Sequence, residues 1–168
     1  MRIRQETLDD ALLVEAIEYA AFKNHPLHAP GAEPTEHRIV HALREGGALS
    51  VSLLAEADGQ ALGHIALSPA GVGDAGNWLL LGPVGVLPGH RGRGLGSALV
   101  RAAVDRARAR GAEGVVLVGD PGFYGRFGFA AVPGLTWPGV PDRYVLALPL
   151  AGPAPQGVIT PHSAFRTA

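Results

Sequence analysis

From Val84 the chain reads Val84-Gly85-Val86-Leu87-Pro88-Gly89-His90-Arg91-Gly92-Arg93-Gly94-Leu95-Gly96-Ser97-Ala98, an apolar run that stops at Pro88 and gives way to glycines and two arginines. Gly92, Gly94 and Gly96 remove side chains where the backbone must turn, so several N–H groups can converge on one concave spot. The Ala-rich pattern that follows starts a helix, whose first N–H groups have no intrahelical acceptor and whose dipole is positive at that end. Such a turn holds phosphate.

The spacing narrows which phosphate. A P-loop needs Gly-x-x-x-x-Gly-Lys-Ser/Thr; Gly89 and Gly94 supply its glycines, but Leu95-Gly96 stands where the lysine and the metal-binding hydroxyl belong, and Lys23 is the only lysine in the chain. A dinucleotide fingerprint needs Gly-x-Gly-x-x-Gly, whereas Gly92-x-Gly94 runs on to Ser97 and Gly94-x-Gly96 to Leu99. Both nucleotide motifs are incomplete. What remains is Arg91-x-x-Gly94-x-Gly96 directly behind Val84-x-Val86-x-Pro88, and a second stretch, Gly119-Asp120-Pro121-Gly122-Phe123-Tyr124-Gly125-Arg126-Phe127-Gly128-Phe129.

These two stretches closely resemble the cofactor-side motifs of the GNAT acetyltransferase superfamily, the second in the form found in one bacterial branch of N-acetyltransferases. The resemblance implies acetyl-CoA as co-substrate and direct transfer of its acetyl group to the primary amine of a small molecule or peptide. It implies that the backbone of Val84, Gly85 and Val86 meets the pantetheine arm and the thioester carbonyl. Arg91, Gly92, Arg93, Gly94, Leu95 and Gly96, with Ser97 at the helix start, would then cradle the pyrophosphate, with Phe123 on the cofactor side. Tyr124 takes the place of the general acid to the departing CoA thiolate, which suits a phenol because it stays protonated near neutrality. The same ring could instead be an aromatic plug between Phe123 and Phe127. An inactive acyl-CoA-binding regulatory module is the alternative, motivated by the absence of any carboxylate from Trp78 to Val86.

The general base stays open. An ammonium acceptor must lose a proton, and His64, Glu33, His25 or water are the candidates. His25-x-x-His28 and His37-x-x-x-His41 invite a zinc reading, but no acidic third ligand stands at a fixed spacing, and Arg38 occupies the glutamate position of a His-Glu-x-x-His motif. No metal is expected. By the resemblance, Tyr19, Phe22, His25 and His28 are better read as walls of an acceptor pocket.

The elements that must position these groups follow from periodicity. A strand is expected at Ile3–Gln5, and Thr7-Leu8-Asp9-Asp10 starts a helix running to about Phe22 with Leu13, Ala16, Ile17 and Ala20 on its buried face. A loop follows to Pro34, then a helix that stops at Gly46 and buries Ile39, Val40 and Leu43. Asp58-Gly59 predicts a hairpin between strands at Ser50–Glu56 and Ala61–Leu67, and residues 68–77 read as a Gly-rich turn. Trp78–Val86 is a central strand, bent or unpaired at Gly82-Pro83. A helix over Leu95–Arg110, burying Leu95, Ala98, Leu99 and Ala102, leads to a parallel strand at Val115–Val118. Phe129–Val132 and Arg143–Leu150 complete the sheet as antiparallel strands.

The expected fold is therefore mixed α/β (α+β), GNAT-like, with a mostly antiparallel central sheet of about six or seven strands. Helices cover both faces and a splayed parallel pair surrounds the cofactor. Residues 1–150 form the one domain. Residues 151–168 are a tail, with Gly157-Val158-Ile159 as a candidate edge strand ahead of Ala164-Phe165. The 168 residues are 47% apolar, enough for one core. A net charge of −1 gives no field to gather nucleic acid, and no run approaches the roughly 20 apolar residues of a membrane helix. The chain has no cysteine, and Met1-Arg2-Ile3-Arg4 does not open a signal peptide, so a cytoplasmic protein is expected. The oligomeric state is left open, a homodimer included.

Overall fold

Asp58 and Gly59 both take positive φ, 54° and 76°, the pair of left-handed residues that a two-residue hairpin turn requires. In the computed structural model, which describes residues 1–26 and 28–167, they join β2 (Val51–Ala57) to β3 (Gln60–Val72). The sheet grows outward from this hairpin. β1 (Arg2–Gln5) adds antiparallel to β2, and β4 (Ala75–Val86) adds antiparallel to β3. β5 (Gly114–Val118) then pairs parallel to β4. β6 (Ala130–Ala131) and β8 (Val145–Pro149) close the far side antiparallel, giving the order β1-β2-β3-β4-β5-β8-β6. The short β7 (Leu135–Thr136) and β9 (Gly157–Pro161) pair with each other, and β9 also pairs with β3.

Residues 68–77 do not form the expected turn. β3 continues through Val72, and only Gly73 and Asp74 turn before β4 begins. Ser68 and Ala70 pair with Leu80 and Trp78 on one side, while Ala70–Val72 pair with Ile159–Pro161 of β9 on the other. Two long-range ladders thus outweigh the local turn propensity of glycine and proline.

The sheet is covered on both faces. α3 (Leu95–Ala109) lays Leu95, Leu99, Val100, Ala103, Val104 and Ala107 onto one face, against Leu53, Ile65, Leu79 and Leu117. Each large aliphatic group so buried contributes roughly 1.5–3 kcal/mol. Ala98 and Ala102, expected inside, are half-buried, because the packed stripe of α3 lies further round the helix. On the other face α1 (Ala11–Phe22) and α2 (Glu36–Glu45) cover Leu54. α2 buries Ile39, Val40 and Leu43 as expected. Of the set expected inside α1, Ile17 is buried, Ala20 is half-buried, and Leu13 and Ala16 are exposed; Val14, Glu18 and Ala21 join Ile17 on the buried face. An Ala- and Leu-rich helix offers apolar residues on more than one face, so the sheet and α2, not the count of apolar residues, select the rotation.

The start of α1 is fixed by charge. The Asp10 carboxylate accepts from the Thr7 N–H at 2.7 Å and takes both Arg4 Nη groups at 2.7 and 3.0 Å, tying the helix to β1. The Arg4 and Thr7 hydrogen bonds hold the Asp10 carboxyl well below the usual carboxylate range. Asp10→Ala is expected to lower stability at pH 7 by about 1 kcal/mol in urea unfolding. Because the folded-state pKa is depressed, that difference is fully present above the unfolded value near 3.9 and shrinks as the pH falls further; the same measurement at pH 2 checks it.

Candidate active site

β4 and β5 lie side by side only where Trp78–Leu80 meet Gly114–Val116. Beyond Leu80 they part. Gly82 and Pro83 interrupt β4, whose register against β3 shifts so that Leu67 faces Leu81 but Ile65 faces Val84, and proline has no N–H to offer a neighbour. The parted strands open a cavity of about 600 Å³ between Pro83 and Val84 on one strand and Val118 and Gly119 on the other.

At the far end of β4 the glycine turn keeps its backbone exposed. Gly89, Gly92 and Gly94 take φ of 88°, 77° and 82°, and a Cβ on any of them would meet nothing within 4 Å. These glycines serve the backbone path rather than relieve crowding, and the turn stays open. Leu95 points into the core, leaving only its backbone to the turn. Gly96 lies across from Phe123 and Val86, where a Cβ would sit 3.8 and 3.9 Å from their side chains. The arginines of the turn are already engaged: Arg91 Nη2 donates to the Ala21 carbonyl near the end of α1, and Arg93 Nη1 meets His90 Nδ1 at 2.9 Å. Ser97 Oγ accepts from Arg126 Nη2 at 3.2 Å, and the Arg126 guanidinium lies 4.8 Å from the centroid of the Phe123 ring.

Tyr124 ends α4 (Pro121–Tyr124), a single turn capped by Asp120, whose Oδ1 accepts the Gly122 N–H at 2.9 Å. The Tyr124 ring packs edge-on against Phe123 with centroids 4.9 Å apart and folds back over Gly119, where a Cβ would come within 2.5 Å of it. Burial, with a smaller contribution from the Glu18 charge, pushes the phenol up to about 12. The neutral phenol lines the cavity.

The cavity is also lined by Phe22, His25, Glu36 and Ile39 of the α1–α2 region and by Trp137, Val140 and Phe165. The three candidate bases go to different places. Glu33 takes Lys23 Nζ at 2.5 Å and the Tyr19 hydroxyl at 2.7 Å on the surface. His25 lines the cavity, its imidazole pushed down by burial and then by His28 and Arg91. His64 is fully buried, with Nδ1 2.6 Å from Glu18 Oε2 and Nε2 2.7 Å from Ser52 Oγ. Of the other histidines in the two spaced pairs, His28 faces Glu36, His37 packs edge-on against Tyr19 and His41 faces Glu15.

The model of the acetyltransferase (GNAT) family matches residues 13–129. The N-acetyltransferase YhbS of Escherichia coli K12 is 37% identical over 134 residues, covering 71% of this chain and 80% of that protein. A GNAT acetyltransferase from Brucella melitensis, solved in complex with acetyl-CoA, superposes with a TM-score of 0.83 at 41% identity over 98% of this chain and 97% of its own. YhbS solved in complex with CoA superposes at 0.85 and 31% identity, over 98% and 91%. The chain belongs to the GNAT acetyltransferase family.

The mixed sheet with its parallel β4–β5 pair is thus the GNAT fold, and the chain is an acyltransferase of that family. Val84 of the first motif and Gly119, Asp120, Phe123 and Tyr124 of the second line one cavity, whereas Glu18, Ser52, Trp137, Val140 and Phe165 were not among the expected site residues. Glu18 alone left a signal, as a charge one position after the expected buried Ile17. Gly119→Ala is expected to cost about 1–3 kcal/mol in urea unfolding, because its Cβ would overlap the Tyr124 ring. Gly125→Ala, helical and with nothing within 4 Å of its Cβ, is the control and should change stability little.

Proposed function

We propose that this protein transfers the acetyl group of acetyl-CoA directly to the primary amine of a small molecule or peptide, with Tyr124 as the general acid. The observation that carries this is the placement of the Tyr124 phenol on the wall of the cavity between the parted strands, with the open glycine turn at the end of one of them.

The residues present fit the co-substrate. Gly89, Gly92 and Gly94 leave an open set of N–H groups at the start of α3, suited to a pyrophosphate without a counter-charge. Beyond Leu80 the β5-facing side of β4 has no strand partner among the described residues, so the backbone of Val84, Gly85 and Val86 is available to a pantetheine arm and its thioester carbonyl. When bound there, acetyl-CoA supplies an activated acetyl thioester. The Arg91 and Arg93 side chains are engaged by the Ala21 carbonyl and His90, so these positions would meet the pyrophosphate through their backbone N–H groups, with Ser97 at the helix start. Tyr124 holds a proton for the departing sulfur; its raised pKa keeps it loaded at every physiological pH. No cysteine exists to carry an acyl group, in keeping with direct attack by the amine. Phe22, Ile39, Trp137, Val140 and Phe165 around the acceptor side favour an amine with an apolar or aromatic body.

Calorimetry should find acetyl-CoA bound to the free protein, and free thiol should appear when an amine panel is added. Tyr124→Phe is expected to lower kcat about 100-fold or more with acetyl-CoA affinity within a few-fold. Undiminished turnover removes Tyr124 from the reaction, and tight binding without turnover on any amine would indicate an acyl-CoA-binding regulatory module. The alkaline limb of the wild-type pH–rate profile due to Tyr124 should lie above the usual tyrosine value of about 10.

A further inference from the structure

An acceptor brings its charge into the cavity along with its amine, so the charges on the walls restrict what can enter. We infer that the acceptor subsite is charge-selective, taking ammonium compounds that carry no carboxylate, and that Glu36 sets this preference; the inference rests on the acetyltransferase reading above.

The cavity passes through the sheet where β4 and β5 part. Leu81 and Tyr124 pack with the cluster under α3, whereas Leu80, Trp137 and Phe165 pack with the cluster on the opposite face, and all of them line the cavity. The glycine turn leads into α3, which puts the co-substrate on the first face and leaves the second to the body of the acceptor. On that second face Glu36, the first residue of α2, lines the cavity with its side chain 18% exposed. Its oxygens are only partly engaged. Oε2 lies 3.2 Å from His28 Nε2 and Oε1 accepts the Thr35 N–H at 3.2 Å, both at the long end of the hydrogen-bond range, and each carboxylate oxygen has a second lone pair to offer.

What the walls lack is a positive group. Among the described residues the titratable side chains lining the cavity are His25, Glu36, Asp120 and Tyr124, with no lysine or arginine. Tyr124 stays neutral, and burial, then His28 and Arg91, hold the His25 imidazole down, so it is neutral at pH 8. His28 at most cancels the Glu36 charge and adds no net positive charge to the wall. Lys23 and Arg91 are engaged elsewhere, Lys23 Nζ by Glu33 at 2.5 Å and Arg91 by the Ala21 carbonyl. Asp120 is an exposed cap whose Oδ1 accepts the Gly122 N–H, so Glu36 is the anion that water screens less.

A carboxylate carried in beside the amine would lose water with no cation to receive it and with Glu36 on the wall, an uncompensated charge among Phe22, Ile39, Leu80, Trp137, Val140 and Phe165. An ammonium or a neutral carboxamide meets no such penalty, and an ammonium is drawn in. The selection works by repulsion as much as by attraction. Free α-amino acids are thereby rejected, while their decarboxylated or amidated counterparts, the first residue of a peptide included, are accepted.

Phenethylamine, phenylalaninamide and phenylalanine share one ring and one amine and differ in charge. With thiol release followed at pH 8, the wild type is expected to use the first two with kcat/KM about 100-fold or more above phenylalanine. Glu36→Gln keeps the size and should shrink that ratio about tenfold, through a higher KM for the accepted amines and a lower one for phenylalanine. Glu36→Asp keeps the charge and should hold the ratio within a few-fold. A wild-type ratio near one, a ratio that Glu36→Gln leaves intact, or equal losses in Glu36→Asp and Glu36→Gln overturns the inference, the last by pointing to packing at the start of α2. A change confined to kcat overturns it too. Calorimetry on the protein saturated with CoA reads the preference without turnover. Phenethylammonium should bind, 3-phenylpropionate should not, and Glu36→Gln should bring the two affinities together. Binding in that order without thiol release would remove the acetyltransferase reading and leave the charge selection standing. Equal binding of the two, or binding of neither, removes the charge selection.

Discussion

Everything at the site depends on two parallel strands that stop touching. A parallel pair has evenly spaced hydrogen bonds and no intrinsic reason to end after three residues. Here it ends at Leu80, just ahead of Gly82 and Pro83, where the register of β4 against β3 shifts and one N–H is absent. The break costs ladder hydrogen bonds in the middle of a sheet whose faces are both covered, yet the fold tolerates it because β3 remains bonded to β4 on both sides of the shift, at Leu67–Leu81 and Ile65–Val84. The sheet is held from one side so that it can open on the other.

That asymmetry decides what the flanking elements can do. α3 packs on the intact side through Leu95, Leu99 and Ala103, so its N-terminus is anchored by core burial and not by whatever occupies the turn ahead of it. α1 covers β3 and β4 on the opposite face and brings Glu18 against Gly85. A buried carboxylate beside a buried imidazole loses more hydration than a single contact returns, and such pairs are weak contributors to stability. The chain to Ser52, Glu6 and Arg44 lessens the loss by linking the pair to an ion pair at the edge of the fold. Among the described residues one carboxylate oxygen, Glu18 Oε1, is nevertheless left without a partner, a cost that hydrophobic residues of similar volume would avoid.

What could be read from the chain was local. Gly92, Gly94 and the helix behind them are contiguous, so their conformation follows from neighbouring residues; Asp58-Gly59 and the Thr7–Asp10 cap are of the same kind. The face of α1 was not, since Leu13 and Ala16 are as apolar as Val14 and Ala21 and only packing against the sheet separates them. His64 was visible as a histidine in a strand, but its partners lie 46 and 12 residues away, beyond any spacing argument. The strand content of residues 68–77 depends on β9, whose pairing residues follow some 90 positions later.

The last third of the chain carries the same lesson into the site. Trp137 and Val140 follow β7, and Phe165 follows β9; these two short strands pair parallel with each other, and β9 extends the edge of β3 beyond β2. Phe165 also packs against the cluster formed by Ile39, Leu43, Ala48 and Ala164, so the tail is held by α2 as well as by the sheet. Three cavity-lining residues are therefore fixed by elements far from the glycine turn in the sequence. The glycine turn is set by local backbone geometry, whereas the cavity wall at Trp137, Val140 and Phe165 is set by tertiary packing of short segments. Substitutions around Trp137, Val140 and Phe165 can reshape that wall without disturbing the φ values of Gly89, Gly92 and Gly94, so under the proposed function this architecture separates the part that would hold a common co-substrate from the part that would select what receives the acetyl group.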